Sequence, residues 1–423
     1  MSINTRIEHV VCLMMENQSF DRILGFVDGV GTLDGTQYAL NSSGEKVNVR
    51  KGADPIKNHQ YDPPHSFAAT VGQLFGPDGY KGEAPVGKWF LSAPLPNSDA
   101  DAEREFMRFY DSENMQIPAI TTLAQNFITC DRWFSSVPGP TAPNRLFIHA
   151  ATSGGYAGGR WKLDGTHYTF DSSGEKISEK GLDCPAEMQS IYESIDQSTE
   201  NYNWRYYFHK SLNTALAFPY VRACTQNLKT TEDFFEDAAK NNLPSYSFIT
   251  PHLGVNCQHP GLDGISMVPG DNLIADVYEA IRQNEEVWLK TLLIITYDEA
   301  GGYYDSVICK EEVPSTPIMN PKGWPEDNVE FDFRYLGVRV PGLLISAWFD
   351  HCLDHTLYEH SSVPKTLKDL FRLQGKGPDG YLTIRDQNSN NLIDHQKIRD
   401  SPRTDLHKLP RSKFQNPGYS SKS

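Results

Sequence analysis

The chain has 423 residues and a mass of 47.6 kDa, with 39% hydrophobic, 11% aromatic and 22% charged residues. At about 100–200 residues per domain this is two or three domains or one large elaborated one, and the apolar content excludes a disordered chain. Lys and Arg number 39 against 54 Asp and Glu, so the net charge of −15 and a pI near 5.3 exclude charge-driven binding to a phosphate backbone, and no nucleic-acid partner is expected.

Short apolar runs rich in β-branched residues predict buried strands over His9–Met15, Ser245–Thr250, Thr291–Tyr297 and Pro341–Ser346. From 27 to 108 the chain is rich in Gly, Pro, Asp and Asn and reads as a loop-rich insertion. A second polar, Gly/Ser-rich stretch over 154–200 reads as a β-hairpin elaboration. Apolar residues at helical spacing predict helices over Glu232–Asn241 and Asn272–Gln283, the latter opened by Asp271 as its cap. A further helix spans Ser361–Phe371 with Pro364 in the first turn. Residues 397–423 carry 7 basic and 2 acidic side chains, leaving −20 on the rest, and read as a basic arm lying on an acidic body. The expected organisation is one elaborated domain over 1–396 followed by that arm. Strands alternating with helices imply an α/β three-layer sandwich with a mostly parallel central sheet. In such sheets, sites form just beyond the carboxyl ends of strands.

No apolar run approaches the ~18 residues of a spanning helix, so no transmembrane segment is expected. The start, MSINTRIEHVV, has no basic, apolar and small-residue succession, which points to a cytoplasmic protein, or a secreted or periplasmic one whose leader has been removed. Seven scattered cysteines without a CxxC argue against a disulfide framework and a thiolate zinc site.

Three segments carry chemistry. The first strand ends in Met15-Glu16-Asn17-Gln18-Ser19, where a carboxylate and an amide oxygen suit a hard divalent cation; Asn17 or Ser19 as a helix N-cap is the structural alternative. In Ser135–His149 two prolines and a glycine force a turn before a helical pattern, placing Thr141 at a helix N-terminus. There it could be activated beside free N–H groups, or simply cap them. The Thr291–Tyr297 strand runs into Asp298-Glu299-Ala300-Gly301-Gly302, and two carboxylates directly after a buried strand are costly unless neutralised, most simply by a metal. His65, His252, His259 and His360 lie in turn-rich contexts that suit proton donors or phosphate contacts.

With these residues in view, the chain resembles the phosphoesterase family of phosphatidylcholine-type phospholipases C and related acid phosphatases. The family pattern runs H-V-V-x-L-M-x-E-N-x-S-F-D, S/T-x-P-N-R, Y-D-E-x-G-G-x-x-D and R-V-P-x-x-x-I-S-x-W. It matches His9–Gly25, Cys130–Gly154, Tyr246–Pro251, Trp288–Val307, Gly337–Trp348, Glu359–Phe371 and Leu382–Asp386 in order. The resemblance implies an alkaline-phosphatase-like architecture and hydrolysis of a phosphate ester or phospholipid. It implies one divalent metal, an oxygen-ligated Ca, Mg or Mn, with Zn or Fe also compatible. The implied ligands are Glu16, Asn17, Asp298, Glu299 and Thr141. Thr141 stands at the nucleophile position, and Asn144 and Arg145 match the P-N-R. His65 and His259 correspond to phosphate-binding and proton-transferring histidines, and Asn144, Asp305 and His360 are read as substrate contacts. Ala300 and Ser306 replace histidines common in the family.

The residues disfavour two rival readings. A catalytically lapsed phosphate- or phospholipid-binding protein need not keep Glu16, Asn17, Thr141, Asp298 and Glu299 together, and a sulfatase-like enzyme would need a Cys/Ser-x-Pro-x-Arg that is absent. Asp386–Asn390 resembles the start of a calcium loop, but Asn391 replaces the required glycine and Lys397 the required glutamate, so it is read as a surface loop.

Overall fold

The computed structural model describes residues 3–57, 62–91, 105–158, 165–170, 175–181, 183–209, 214–261, 266–316 and 331–414. Its centre is an eight-stranded sheet of β1 (His9–Met15), β2 (Ile128–Cys130), β3 (Trp204–Tyr207), β4 (Leu228–Lys229), β5 (Tyr246–Ile249), β6 (Thr291–Tyr297), β7 (Gly342–Ile345) and β8 (Cys352–Asp354). The spatial order is β4-β3-β5-β1-β6-β7-β2-β8. Only β7 runs against the others, which makes the sheet mostly parallel, as the alternating strand and helix patterns imply.

β1 and β6 read HVVCLMM and TLLIITY because both of their faces are covered; apart from His9, every residue in the two strands is buried. Their observed bounds coincide with the predicted ones, and β5 and β7 lie inside theirs. Helices flank the sheet in two groups. One contains α1 (Phe20–Leu24), α2 (Pro118–Asn126), α5 (Thr231–Ala239), α6 (Met267–Gln283) and α7 (Glu285–Lys290), packed around α6 and α2. The other contains α3 (Thr141–Ala150), α4 (Ile191–Asp196) and α8 (Ser362–Phe371), packed around α3.

The described residues of the 27–108 stretch include regular elements. They hold a hairpin pairing Tyr38–Leu40 with Lys46–Asn48 and a helix over Phe67–Phe75 whose N-cap is Ser66. Phe67, Phe75 and Trp89 build a second, smaller core with Phe331, Phe333 and Tyr335, and this core carries His65 toward the strand ends. The hairpin expected in 154–200 pairs Gly165–Phe170 with Lys176–Gly181. Over 397–414 the chain meets α6, where Arg411 pairs with Asp276 at 2.9 Å and Glu279 at 3.1 Å, and Arg399 pairs with Asp350.

One capping assignment is corrected by long-range packing. α6 begins at Met267, one turn earlier than expected, with Ser266 as its N-cap. Asp271 is buried inside that helix and caps α2, accepting the Ala119 and Ile120 N–H groups at 3.0 Å each. α2 needs this because its own N-cap, Ile117, has no side-chain acceptor. Asp271→Ala, which orphans two buried N–H groups, is expected to cost about 2–3 kcal/mol in urea unfolding.

Burial pushes the Asp271 carboxyl up to about 7 against the pull of the two N–H donors. A folded-state value above the unfolded one means the native state holds the extra proton between pH ~4 and ~7. Stability contributed by this group therefore falls as pH rises through that window. The difference in unfolding free energy between the parent and Asp271→Asn is expected to track that slope, and a pH-independent difference would refute the assignment.

Candidate active site

β1 and β6 are parallel neighbours in register from His9↔Thr291 to Met15↔Tyr297. The residues that follow them, Glu16-Asn17 and Asp298-Glu299, therefore leave the sheet side by side at its carboxyl edge. β5 lies on the other side of β1, and its following loop returns to the same edge, where the Glu16 N–H donates to the Cys257 carbonyl at 3.0 Å. That loop carries His259.

Glu16, Asn17, Asp298 and Glu299 are all buried. Arg145, fully buried on α3, bridges two of the carboxylates: its Nε donates to Asp298 Oδ2 at 2.8 Å and its Nη2 to Glu16 Oε1 at 3.2 Å. The other Asp298 oxygen accepts the Asn17 N–H at 3.1 Å and the Glu299 N–H at 2.8 Å. Glu299 Oε2 accepts the Gly301 N–H at 2.6 Å, whereas its buried Oε1 has no hydrogen-bond partner among the described residues. Burial pushes the Glu16 carboxyl up to about 7 against the opposing pull of Arg145. Burial, reinforced by Asp298, drives Glu299 well above the usual carboxylate range. Of the three buried carboxylates one guanidinium pairs with two, an acidic excess that favours a cation.

Asn17 takes φ +57°, a left-handed conformation that asparagine tolerates better than most residues. Gly301 and Gly302 also have positive φ, and they allow close approach of chain to chain. A Cβ on Gly301 would stand 2.4 Å from the Asn17 carbonyl oxygen, and one on Gly302 2.6 Å from that of Pro64. The glycine pair thus packs the β6 loop onto the β1 loop and onto the segment leading to His65.

Thr141 is the first residue of α3; the N-cap is Pro140, which makes no side-chain cap. The hydroxyl donates to Asn17 Oδ1 at 3.3 Å, so of the two roles open to Thr141 the capping one is not taken up. The cap at the β1 end is Ser19, which accepts from Arg22 N–H at 3.1 Å; Asn17 is left for the site. His65 holds its Nδ1 2.7 Å from the Pro63 carbonyl and turns Nε2 inward, 3.5 Å from Asn17 Nδ2 and 3.9 Å from Glu299 Oε1. The His259 ring meets it edge to face at 5.4 Å, and burial together with His65 lowers the His259 basicity.

Seven sequence-predicted residues therefore converge: Glu16, Asn17, Asp298, Glu299, Thr141, His65 and His259. The three read as substrate contacts stand behind them as braces. The Asn144 carboxamide is spent on the turn before Thr141, taking the Val137 N–H at 2.9 Å and donating to the Val137, Gly139 and Pro140 carbonyls. His360 is fully buried, with Nε2 2.7 Å from the Asp298 carbonyl and Nδ1 accepting from Trp133 Nε1 at 3.3 Å. Asp305 belongs to a buried triad with Arg339 and Asp21; Arg339 donates to Asp305 at 2.9 Å and to Asp21 at 2.8 Å. The resemblance implies substrate contact for these three, and in the structure their side chains bond within the packing behind the site.

The bridging role of Arg145 was missed. A signal existed: Arg145 lies four residues after Thr141, one helical turn on and on the same face. Among the described residues, no three His, Cys, Asp or Glu side chains close on one point at metal-ligating spacing. The carboxylates of Glu16 and Asp298 turn onto Arg145 instead.

A mostly parallel α/β sandwich with buried carboxylates, a helix-terminal hydroxyl and two histidines at one sheet edge defines a hydrolase-like class. The model of the Phosphoesterase family matches residues 7–374, and the chain belongs to that family. It is a phosphoric ester hydrolase. It is 31% identical to non-specific phospholipase C3 of Arabidopsis thaliana over 96% of this chain and 77% of that protein. Phospholipase C B of Mycobacterium tuberculosis (strain ATCC 25618 / H37Rv) is 27% identical over 87% of this chain and 74% of its own length. Among solved structures, the PsFucS1 sulfatase from Pseudoalteromonas sp. aligns with TM-score 0.38 at 11% identity, covering 87% of this chain and 68% of that one. No helix among the described residues is long and apolar enough to cross a membrane.

Proposed function

We propose that the chain hydrolyses phosphoric esters of phospholipid type through a phosphothreonine intermediate on Thr141, assisted by one divalent cation. The observation that carries the reading is the Thr141 hydroxyl: it stands at a helix N-terminus, caps nothing, and points to Asn17 Oδ1 at 3.3 Å beside the buried carboxylates. The similarity to non-specific phospholipases C supports a glycerophospholipid as substrate.

The donor set fits a hard cation. Glu299 Oε1 is buried without a hydrogen-bond partner among the described residues, Asn17 Oδ1 and Thr141 Oγ1 lie at the same edge, and Glu16 and Asp298 would add oxygens that are shared with Arg145. When bound, the cation would polarise a phosphoryl oxygen and lower the pKa of the threonine hydroxyl. Free N–H groups and the dipole at the start of α3 would hold the phosphoryl anion in front of Thr141. The Thr141 oxygen, its proton released to solvent as the hydroxyl ionises, would attack phosphorus in line as the P–O bond to the ester oxygen breaks, that oxygen being protonated by His259 with His65 beside it. The same imidazole would then take a proton from the water that cleaves phosphothreonine, restoring Thr141 and releasing the phosphorylated product.

Metal analysis of the purified protein is expected to find one divalent cation per chain. Glu16→Gln and Asp298→Ala should each lose it, together with turnover of both p-nitrophenyl phosphate and p-nitrophenyl phosphorylcholine, while circular dichroism stays native. Stoichiometric cation with full activity in either variant would exclude this ligand set. Preference within the pair of substrates separates a phosphatase from a phospholipase C.

A further inference from the structure

Two residues at the site occupy left-handed backbone conformations without being glycine: Asn17 at φ +57° and Gln258 at φ +71°. Asparagine relieves such strain locally, but glutamine has no such compensation. Gln258 is fully buried and directly precedes His259.

Its hydrogen bonds reach every segment of the site that comes from the sheet. Its carbonyl accepts from Gln18 Nε2 at 3.0 Å, and Gln18 follows Asn17. Its Oε1 accepts the Tyr297 hydroxyl at 2.6 Å, and Tyr297 precedes Asp298. Its Nε2 donates to the carbonyl of Met267, the first residue of α6, at 3.0 Å. The helix is shaped for this side chain, because a Cβ on Gly270 would fall 2.2 Å from Gln258 Cγ.

We propose that Gln258 is a positioning residue for the reaction. Its left-handed turn aims the His259 imidazole at the site; its carbonyl ties that turn to the β1 end through Gln18, and its side chain ties it to Tyr297 at the β6 end and to Met267 of α6. Strain of this kind persists where the surroundings over-determine it, and it concentrates at functional sites. A glycine would satisfy the backbone at this position without strain, but it would surrender the bonds to Tyr297 and Met267. The proposal rests on the reading of His259 as the proton donor to the leaving oxygen.

The test compares the parent, Gln258→Gly, His259→Gln and the double variant on a p-nitrophenyl ester and on the matching alkyl ester, whose leaving group needs protonation. Gln258→Gly is expected to lose at least about tenfold in kcat on the alkyl ester with KM nearly unchanged, and little on the nitrophenyl ester. The double variant should be no slower than His259→Gln alone, because both changes remove one function. Equal losses on the two esters, multiplicative losses in the double variant, or full activity of Gln258→Gly would each overturn the proposal. If His259→Gln leaves the alkyl ester unaffected, the donor role itself fails and the positioning role falls with it; the His259→Gln single variant identifies that case. Gln258→Glu, which keeps an acceptor for Tyr297, should recover part of the alkyl-ester rate if the turn is held as described.

Discussion

Thr141→Ala is expected to lose turnover by on the order of 10³-fold or more, while its unfolding free energy moves by less than about 0.5 kcal/mol. The two parts of this expectation come from the same geometry. A capping threonine accepts a backbone N–H two or three residues on, and its loss would cost about 1 kcal/mol. Thr141 accepts none: the N-cap is Pro140, and the hydroxyl's hydrogen bond goes to Asn17 Oδ1 at 3.3 Å. Alanine also has the higher helix propensity, so nothing in α3 opposes the change. Thr141→Ser keeps a hydroxyl and should retain measurable turnover. Vanadate, a mimic of pentavalent phosphorus, should inhibit the parent and bind Thr141→Ala poorly. Persistent activity in Thr141→Ala would remove the covalent step, leaving water as the attacking group.

Arg145→Met is expected to destabilise the protein by about 3–5 kcal/mol, the cost of leaving buried carboxylates without their counter-charge. Arg145 is fully buried, its Nε lies 2.8 Å from Asp298 and its Nη2 3.2 Å from Glu16, and it also donates to the Met14 and Met15 carbonyls at the end of β1. Methionine conserves much of the volume, so the loss reports charge and hydrogen bonding rather than a cavity. Adding Glu16→Gln and Asp298→Asn to Arg145→Met should recover part of the stability, since neutral amides no longer require a cation. Urea midpoints of the four combinations measure this directly. A midpoint for Arg145→Met equal to that of the parent would show that the carboxylates are balanced by something else.

How much of this was legible beforehand follows from the range of each interaction. β1 and β6 could be read from their apolar runs Val10–Met15 and Leu292–Ile295, because an uninterrupted apolar run suits a strand covered on both faces. The residues just beyond them then had to emerge at the sheet edge, which is why the sequence alone places Glu16, Asn17, Asp298 and Glu299 there. Pro140 and Pro143 around Thr141 likewise announced a helix start, a purely local matter of fixed φ and a missing N–H.

Other features depend on which segments become neighbours, and composition does not encode that. Asp271 looks like the cap of its own helix but caps α2, 151 residues away along the chain at its Ile120 contact. Asn144, Asp305 and His360 belong to the matched segments, yet their side chains point into the packing and hold the site from behind. His65 arrives on an insertion whose aromatic core closes only when Phe67 meets Phe331. The sequence by itself determined the strand cores, the chemical types at their ends and the helix that begins at Thr141. The tertiary structure decided which of those groups meet, how Arg145 divides its charge between two carboxylates, and where strain at Gln258 is held. Local propensity and hydrophobic period act over a few residues, whereas ion pairs and site geometry are set by parallel strands brought together from distant parts of the chain.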